Sequence, residues 1–289
     1  MRYTFALHKI IKKTDSTEFD QLKYGFLPVE YSKFKFGDKD IARKYGYELA
    51  RKFINSKVFL NILQQNHREF VVMSSPYCFI PTATWSLSNY FVQFLNQHLV
   101  DIGYPVVELS KIHRTNTYKE DYGELSAEQR LALISKDGFQ IDKAFLERKF
   151  LIMMDDIKIT GSHERIIERT FKENNITNDH VFLYFAELSD PTIDPKVENY
   201  LNYAFVKNLL FLDKIIKNEN FLPNTRVVKY ILNHKDELAF TVFVMYQARK
   251  VLANLYHLAI GNGYHLIPDY QKNLQFIKDL LIKEDYLLK

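Results

Sequence analysis

The chain has 289 residues, of which 26% are charged and 47% belong to the apolar set AVILMFWYC. These values are typical of a globular protein of about two domains, and they exclude a disulfide-stapled miniprotein, a wholly disordered chain and a polytopic membrane protein. The formal net charge is +4, and no run of five like charges concentrates it. The charge pattern therefore does not favour a nucleic-acid partner.

The N-terminal segment and the single cysteine indicate where in the cell the protein is expected. Residues 1–13 (MRYTFALHKIIKK) have basic residues within every apolar stretch and therefore lack the apolar segment of a secretory signal. Cys78 has no second cysteine with which to form an intramolecular disulfide. The most apolar short runs, residues 150–154 and 238–245, fall below the roughly 18 residues that a membrane span needs. We therefore expect a cytoplasmic protein without a membrane partner.

The first predicted elements are a helix and a buried strand. Residues 41–54 place apolar side chains at helical spacing between Lys and Arg, which predicts an amphipathic helix. Residues 69–73 (EFVVM) are apolar and rich in β-branched side chains, and they precede Ser74, Ser75 and Pro76. This pattern indicates a strand that ends in a loop.

A second helix, a second strand and a long polar segment follow. Residues 85–99 again show helical spacing, with Thr84 or Ser86 as the predicted cap. Residues 104–109 (YPVVEL) form the next short apolar run. Residues 110–129 are almost wholly polar, and structureless loops of this length are usually lids, binding loops or disordered segments.

Two further strands complete an alternating pattern. Residues 150–154 and 180–187 predict the third and fourth strands, and residues 164–174 predict the helix between them. Alternation of strands and helices is typical of an α/β fold, in which helices cover a parallel sheet.

The chain changes character at residues 189–195 (SDPTIDP), which contain two prolines and two aspartates. Beyond this point we predict only helices, over residues 197–217, 225–233 and 236–260, with a helix stop at the GNG of residues 261–263. The expected division is therefore an α/β domain over residues 1–190 and an all-helical region over residues 191–289. The helical region has three possible roles: covering a sheet face, making a homodimer contact or selecting a ligand.

The strongest chemical signal is residues 150–163 (FLIMMDDIKITGSH). Asp155 and Asp156 follow an apolar strand, and ligands of open α/β sheets bind at the carboxyl ends of strands. Thr160, Gly161 and Ser162 then precede a predicted helix, so that backbone N–H groups, two hydroxyls and the positive end of the helix dipole can converge on one phosphate. Two acids beside an anion site suit a sugar phosphate.

Residues 151–163 resemble the motif with which type I phosphoribosyltransferases bind phosphoribosyl pyrophosphate (PRPP): an apolar strand, two acidic residues and a Thr-Gly-x-Thr loop. The resemblance implies a fold with an open, mainly parallel sheet flanked by helices. It also implies that Asp155 and Asp156 bind the ribose 2′- and 3′-hydroxyls, and that Mg²⁺ is carried with PRPP rather than bound directly by the protein. The loop that would bind the 5′-phosphate consists of Lys158, Ile159, Thr160, Gly161, Ser162 and His163.

Three positions depart from the family pattern. Lys158 replaces an apolar residue, Ile159 a small hydroxyl residue and His163 the closing Thr. The backbone anion site remains possible, but side-chain hydroxyls are lost. Lys158 and His163 offer donors near the phosphate in their place.

Two other segments extend the resemblance. Residues 111–130 are similar to the polar flexible loop of the ComF-like subgroup, which implies that Lys111, Arg114 and Thr115 help to cover the pyrophosphate and exclude water. Residues 71–77 correspond to the loop that cradles pyrophosphate. That loop would here consist of Ser74, Ser75 and Pro76, without the glycine that is often present.

These observations lead to a first hypothesis with an alternative. The first is a phosphoribosyltransferase that joins ribose 5-phosphate from PRPP to an unidentified nucleobase-like acceptor and releases pyrophosphate. The alternative is a catalytically inactive PRPP or nucleotide sensor whose helical region binds a partner. A nucleic-acid accessory role rests on family association alone. The segment that selects the acceptor is expected within residues 1–34 or within the helical region.

Overall fold

The protein contains one mixed β-sheet in the part of the chain that the computed structural model describes, residues 1–13, 18–65, 69–114, 139–140 and 142–286. Seven strands of these residues lie in the order β2-β1-β7-β6-β3-β4-β5. The strands are β1 (Arg2–Lys12), β2 (Leu22–Lys23), β3 (Phe70–Tyr77), β4 (Glu108–Arg114), β5 (Phe139–Gln140), β6 (Phe150–Lys158) and β7 (His180–Leu188). The five central strands are parallel, and β2 and β5 pair antiparallel at the edges. The predicted α/β class with a mainly parallel sheet is confirmed.

Helices cover both faces of this sheet and then continue as a helical region after β7. In the described residues, the helices before β7 are α1 (Pro28–Lys35), α2 (Lys39–Ile54), α3 (Lys57–Gln64), α4 (Ala83–Asp101), α5 (Lys143–Leu146) and α6 (Ser162–Glu173). Those after β7 are α7 (Val197–Asn202), α8 (Leu209–Ile216), α9 (Thr225–Leu232), α10 (Glu237–Tyr246), α11 (Arg249–Gly261) and α12 (Pro268–Lys283). The predicted all-helical C-terminal extension is therefore present.

Strand β6 shows how the sheet separates two apolar cores. Phe150, Ile152 and Met154 are buried in the core shared with α1 to α4, whereas Leu151 and Met153 are buried in the core shared with α6. Successive side chains of a strand point to opposite faces, so an uninterrupted apolar run is required where both faces are covered. This apolar run places the two aspartates that follow it at the carboxyl end of a fully buried strand.

Several strands differ from the predicted bounds. β6 continues through Lys158 because its backbone still pairs with β7 there, beyond the apolar run. β3 likewise continues through Tyr77, so Ser74, Ser75 and Pro76 lie in an irregularly paired strand end and not in a loop. β4 begins at Glu108 and not at residue 104, so the first part of the predicted polar loop is a strand.

Strand β1 was not predicted. Its sequence, RYTFALHKIIK, mixes basic and apolar residues, and most of its side chains are only partly buried. It pairs in parallel with β7 over eight residue pairs, so long-range backbone hydrogen bonding forms this strand. Helices α1, α3 and α12 were also not predicted.

The two longest predicted helices, over residues 197–217 and 236–260, are each interrupted. The helix predicted over residues 197–217 divides into α7 and α8, because Asn208 caps α8 by accepting hydrogen bonds from the N–H groups of Leu210 and Phe211. The helix predicted over residues 236–260 divides at Gln247, whose backbone is extended and whose side chain bonds to Asp213. The cap predicted for the helix of residues 85–99 was also wrong: α4 starts after Thr82, and Thr84 lies inside its first turn.

The helical region packs directly against the segments that border the sheet's carboxyl edge. Asn262 accepts hydrogen bonds from the backbone N–H groups of Phe79 and Ile80, and Thr225 donates to the carbonyl of Ile80. A Cβ at Gly37, where φ is +93°, would lie only 2.4 Å from the carbonyl oxygen of Leu222. These contacts fix α9 beside the loop that follows β3. No helix of the described residues combines the length and apolar character that spanning a bilayer requires.

Candidate functional site

A cavity of about 200 Å³ lies at the carboxyl ends of β3 and β6. Its walls bring together β-strand ends, the loop before α6, the last residue of α1 and the first turn of α9. The residues that line it are Lys35, Ser75, Pro76, Thr82, Thr84, Asp155, Asp156, Ile157, Lys158, Ile159, Thr160, Gly161, Ser162, His163, Glu164, Tyr184, Glu198 and Arg226. Both predicted acids and the whole predicted phosphate loop therefore border one cavity.

Asp156 is a buried carboxylate held by α1. Its side chain is 6% exposed, and its Oδ2 lies 2.5 Å from Nζ of Lys35. The hydroxyl of Tyr31 donates to the same oxygen at 2.5 Å. Burial first, and then the charge of Asp156, raise the pKa of Tyr31, so this hydroxyl stays protonated and remains a donor. One charge partner and one neutral donor thus compensate the desolvation of this carboxylate.

Asp155 is held from the other side of the strand. Its Oδ2 lies 2.7 Å from Nδ1 of His163, and the hydroxyl of Ser75 donates to its Oδ1 at 2.7 Å. Burial acts to raise the pKa of Asp155, but the charge of His163 and the hydrogen bonds from His163 and Ser75 outweigh it. The pKa of this carboxyl therefore lies well below its usual value of 3.8.

The two carboxylates share one donor although they belong to adjacent residues of a strand. The hydroxyl of Thr84 in α4 lies 3.1 Å from Oδ1 of Asp156 and 3.3 Å from Oδ1 of Asp155. A single hydroxyl hydrogen serves both oxygens, so the acids converge on the first turn of α4. This convergence keeps the pair in one cavity.

The loop before α6 has the geometry expected of an anion site. Gly161 has a φ of +67° and immediately precedes the helix, and the hydroxyls of Thr160 and Ser162 lie 2.8 Å apart. Arg165 in the first turn of α6 donates to the Thr160 carbonyl and to the Ser162 hydroxyl, both at 2.9 Å. The loop thus combines the N-terminus of a twelve-residue helix with a nearby guanidinium.

The Lys158 side chain lies beside the phosphate loop, with its Cε 3.5 Å from the position of a Cβ added at Gly161, and it pairs with an acid. Its Nζ lies 2.6 Å from Oε2 of Glu164, a carboxylate that is only 4% exposed. Arg2 also contacts Glu164, and the hydroxyl of Tyr184 donates to it at 2.9 Å. Burial lowers the pKa of Lys158, while the charge of Glu187 acts against this shift. Lys158 therefore forms part of a charge network around the buried Glu164, beside the cavity.

The predicted pyrophosphate segment contributes through two of its three residues. Ser75 and Pro76 line the cavity, whereas Ser74 is 1% exposed and its hydroxyl has no hydrogen-bond partner among the described residues. An unpartnered buried hydroxyl costs free energy, so Ser74 is the least satisfied polar group of this strand end.

Of the predicted lid residues, Lys111 has a described side chain, and that side chain does not line the cavity. Nζ of Lys111 donates to the carbonyl of Cys78 and lies 4.1 Å from the ring centroid of Tyr77. Arg114 is the last residue of β4, and its side chain lies outside the described part of the chain. Most of the predicted loop, from residue 115 to residue 138, also lies outside the described residues.

Sequence analysis missed several contributors to the site, among them five that bring a charge or a donor from distant segments. Lys35, Tyr31 and Thr84 hold the two acids but lie 71 to 125 positions away from them in the chain. Arg226 and Glu198 bring charges from the helical region. Local patterns contain no signal for such distant partners, although Arg165, the second residue of the predicted helix, was available as a cation.

The side chains of the cavity suit a metal ion that receives most of its ligands from a bound substrate and from water. Among the described residues, no three His, Cys, Asp or Glu side chains are arranged to hold a metal ion. Mg²⁺ is commonly bound by one or two carboxylates together with waters and phosphate oxygens. The described residues thus fit an ion that is carried mainly by the phosphate oxygens of a bound ligand and not one that the protein holds alone.

Comparison with known proteins agrees with this geometry. The family model described as PRTase ComF-like matches residues 1–277. No curated protein matches the chain. The match includes the sheet, the acid pair, the loop before α6 and most of the helical region. The chain therefore belongs to the ComF-like phosphoribosyltransferase family.

Proposed function

We propose that the protein binds PRPP and transfers its phosphoribosyl group to a nitrogen of a nucleobase-like acceptor. The observation that carries this proposal is that Asp155, Asp156 and residues 160–162 line one cavity. A phosphorylated pentose presents hydroxyl donors and a dianion on one small molecule. The cavity offers carboxylate acceptors and a helix N-terminus in the corresponding arrangement.

Binding would use the acids and the loop in different ways. The ribose hydroxyls would donate to Asp155 and Asp156, and the 5′-phosphate would accept hydrogen bonds from the backbone N–H groups of Thr160, Gly161 and Ser162. Arg165 would add positive charge behind the loop without occupying it. Ser75 and Pro76 border the side on which the pyrophosphate would lie.

The transfer would be a dissociative substitution at the anomeric carbon. The bond from C1 to the pyrophosphate oxygen breaks, and its electron pair leaves with pyrophosphate. A lone pair of the acceptor nitrogen then forms the new C1–N bond, and the nitrogen gives up one proton to solvent or to a nearby base. The ionised Asp155 would stabilise the positive charge that develops on the ribose ring.

Mg²⁺ carried with PRPP would neutralise the pyrophosphate oxygens as their charge grows. The protein's own contribution would then be orientation of the sugar by the acids and of the phosphate by the loop. Positioning of this kind lowers the barrier by removing rotational and translational freedom before the reaction.

Pyrophosphate release tests the transfer. Purified protein, Mg²⁺ and PRPP are combined with a panel of purine, pyrimidine and smaller nitrogen bases, and pyrophosphate is measured over time. We expect release that depends on one class of base and is lost in the variant that carries Asp155→Asn and Asp156→Asn. Base-independent release, or equal release by the variant, contradicts the proposal.

A second function is favoured by the partners of the acids. His163 contacts Asp155, and Lys35 contacts Asp156, so each carboxylate already has a positive or potentially positive partner within the chain. Such an arrangement suits a PRPP or nucleotide sensor, in which the ligand is held but not consumed. In that case the protein binds PRPP in a saturable way, the acid-to-amide variant does not, and no base promotes pyrophosphate release.

A further inference from the structure

A second cavity, which we call the α1 cavity, lies at the first turn of α1 and has a volume of about 830 Å³. Its walls come from β1, residues 20–30, α2, α7 and the link between α7 and α8. The cavity of the acid pair is bordered instead by Lys35, the last residue of α1, and no described residue lines both cavities. Sites for small molecules commonly have volumes of about 300–1,000 Å³, so the α1 cavity has room for one.

One wall of the α1 cavity carries a buried hydroxyl group without an acceptor. Tyr45 of α2 is 1% exposed, and its hydroxyl has no hydrogen-bond partner among the described residues. Burial first, and then the charges of Glu30 and Glu48, raise the pKa of Tyr45, so the hydroxyl is protonated and can donate. A buried donor that makes no hydrogen bond costs free energy, and a ligand oxygen at this wall would remove that cost.

An acceptor lies beside this donor. Glu48 follows Tyr45 by three residues in α2, so the two side chains share a face of the helix. The ion-pair partner of Glu48 among the described residues is His8, whose Nε2 lies 3.8 Å from Oε1, too far for a hydrogen bond. Burial lowers the pKa of His8, although the charge of Glu48 acts against this shift. The carboxylate of Glu48 is therefore open to N–H groups of a ligand.

Aromatic rings form another wall of the α1 cavity. Tyr24 and Tyr200 lie nearly parallel, with ring centroids 6.3 Å apart and an interplanar angle of 19°. The ring of Phe26 lies 5.7 Å from that of Tyr24 and 5.6 Å from that of His8. Rings of this kind favour contact with the flat face of an aromatic or heteroaromatic ligand.

The charges that line the α1 cavity favour an anion. Four lysines and three acids line it, and one of each, Lys44 and Glu30, form a salt bridge at 2.7 Å. The acids that remain are Asp20 and Glu48. The lysines that remain form no ion pair with another described residue, and they are Lys13, Lys23 and Lys207. The first turn of α1 adds backbone N–H groups, because its N-cap residue, Leu27, provides no side-chain cap.

We propose that the α1 cavity binds a nucleoside phosphate, with the base against the aromatic wall and the phosphate at the lysines. A nucleobase combines a flat ring with an edge of donors and acceptors, which Glu48 and Tyr45 would pair. Guanine is the clearest match, because its neighbouring N–H groups can donate to one carboxylate while its carbonyl oxygen accepts from a hydroxyl. An apolar ligand would leave both side chains without partners, and a sugar phosphate would lack a ring for the aromatic wall.

Isothermal titration calorimetry with guanosine monophosphate (GMP) and the full-length protein tests the position of the base. We expect saturable binding by the native protein. Tyr45→Phe removes the hydroxyl and keeps the ring, so it should weaken GMP binding by about fivefold. The matched control is Tyr47→Phe, which changes an exposed tyrosine of the same helix outside the α1 cavity and should bind GMP as the native protein does.

A pair of lysine changes tests the position of the phosphate. The variant with Lys23→Ala and Lys207→Ala should bind GMP about tenfold more weakly and bind guanosine as the native protein does, because guanosine has no phosphate. Lys52→Ala changes an exposed lysine of α2 outside the α1 cavity and should leave both affinities unchanged. Circular dichroism and the melting temperature verify that all variants fold.

The outcome is independent of PRPP binding, because every changed residue lies outside the cavity of the acid pair. A native protein that does not bind GMP overturns the proposal. So does a GMP affinity that stays unchanged in Tyr45→Phe or in the double lysine variant, since the ligand would then lie elsewhere.

Discussion

Nδ1 of His163 lies 2.7 Å from Oδ2 of Asp155, so the second residue of helix α6 contacts the first of the two strand-end acids. This contact crosses the loop that is proposed to bind phosphate. It links the acid and the start of the helix into one unit, and any ligand hydroxyl that binds Oδ2 of Asp155 must share this oxygen with the imidazole. His163 is therefore better described as a partner of the acid than as a direct phosphate ligand.

The contact predicts a specific dependence of stability on pH. The folded-state pKa of Asp155 lies below its ordinary value of 3.8, so the stabilisation is fully present above that value and is lost as the pH falls through the lowered folded-state pKa. Urea unfolding of the native protein and of Asp155→Asn should therefore show a larger difference in free energy of unfolding at about pH 5 than at about pH 3. The exposed control Glu147→Gln should show no such change. A difference that grows as the pH falls contradicts the assignment.

The ion pair between Lys35 and Asp156 predicts a cost for removing one partner only. Because both side chains are nearly buried, Asp156→Asn leaves an uncompensated ammonium and should lower the free energy of unfolding by roughly 3 kcal/mol. Adding Lys35→Met should recover part of this loss, and a double-mutant cycle measures the coupling. Lys44→Met, which removes a partly exposed pair with Glu30, should cost no more than about 1 kcal/mol. Equal losses for Asp156→Asn and Lys44→Met would show that the buried pair contributes no more to the free energy of unfolding than the exposed pair.

Two glycines with positive φ predict different consequences. At Gly161 an added Cβ meets only side-chain atoms at 3.5 Å, so Gly161→Ala should cost only the backbone strain of about 1–2 kcal/mol. At Gly37 the added Cβ also collides with the Leu222 carbonyl at 2.4 Å, which couples the corner between α1 and α2 to the helical region. Gly37→Ala should therefore lower the melting temperature more than Gly161→Ala does. The reverse order would contradict the close packing described at that corner.

Arg226 tests whether the helical region takes part in ligand binding. This side chain lines the cavity from the first turn of α9, beside the loop that follows β3. Arg226→Ala should weaken PRPP binding by about tenfold, in line with the loss of one charge-assisted hydrogen bond, and Arg226→Lys should have a smaller effect. Arg51→Ala changes an exposed arginine of α2 outside the cavity and serves as the control. If Arg226→Ala binds PRPP as tightly as the native protein, Arg226 has no part in binding.

Sequence patterns predicted best those elements in which consecutive apolar residues indicate burial. The apolar run of β6 needs both faces covered, and the Thr-Gly-Ser segment precedes α6, so the strand, the loop and the helix were all predicted, although β6 extends four residues beyond its predicted end. The family resemblance, which rested mainly on this segment, was confirmed. Strand β1 was not predicted because its lysines and histidine interrupt the apolar pattern of a strand. Long-range pairing with β7 stabilises this strand instead.

The environment of the acids could not be predicted for a related reason. Tyr31 and Lys35 meet Asp156 only after α1 folds over the end of β6, more than 120 positions along the chain. Thr84 was predicted as a helix cap because hydroxyl residues near a helix start usually are, but its hydroxyl instead donates to both carboxylates. Tertiary contacts, rather than local propensity, decide what these side chains do.

The central claim is that the acid pair and the loop before α6 hold a phosphorylated pentose, and isothermal titration calorimetry with PRPP and Mg²⁺ tests it most directly. The native protein should bind PRPP in a saturable way with one site per chain. The variant with Asp155→Asn and Asp156→Asn, once circular dichroism has verified its fold, should show no binding. Equal affinity in the native protein and in this variant, or no binding by the native protein, would contradict the account.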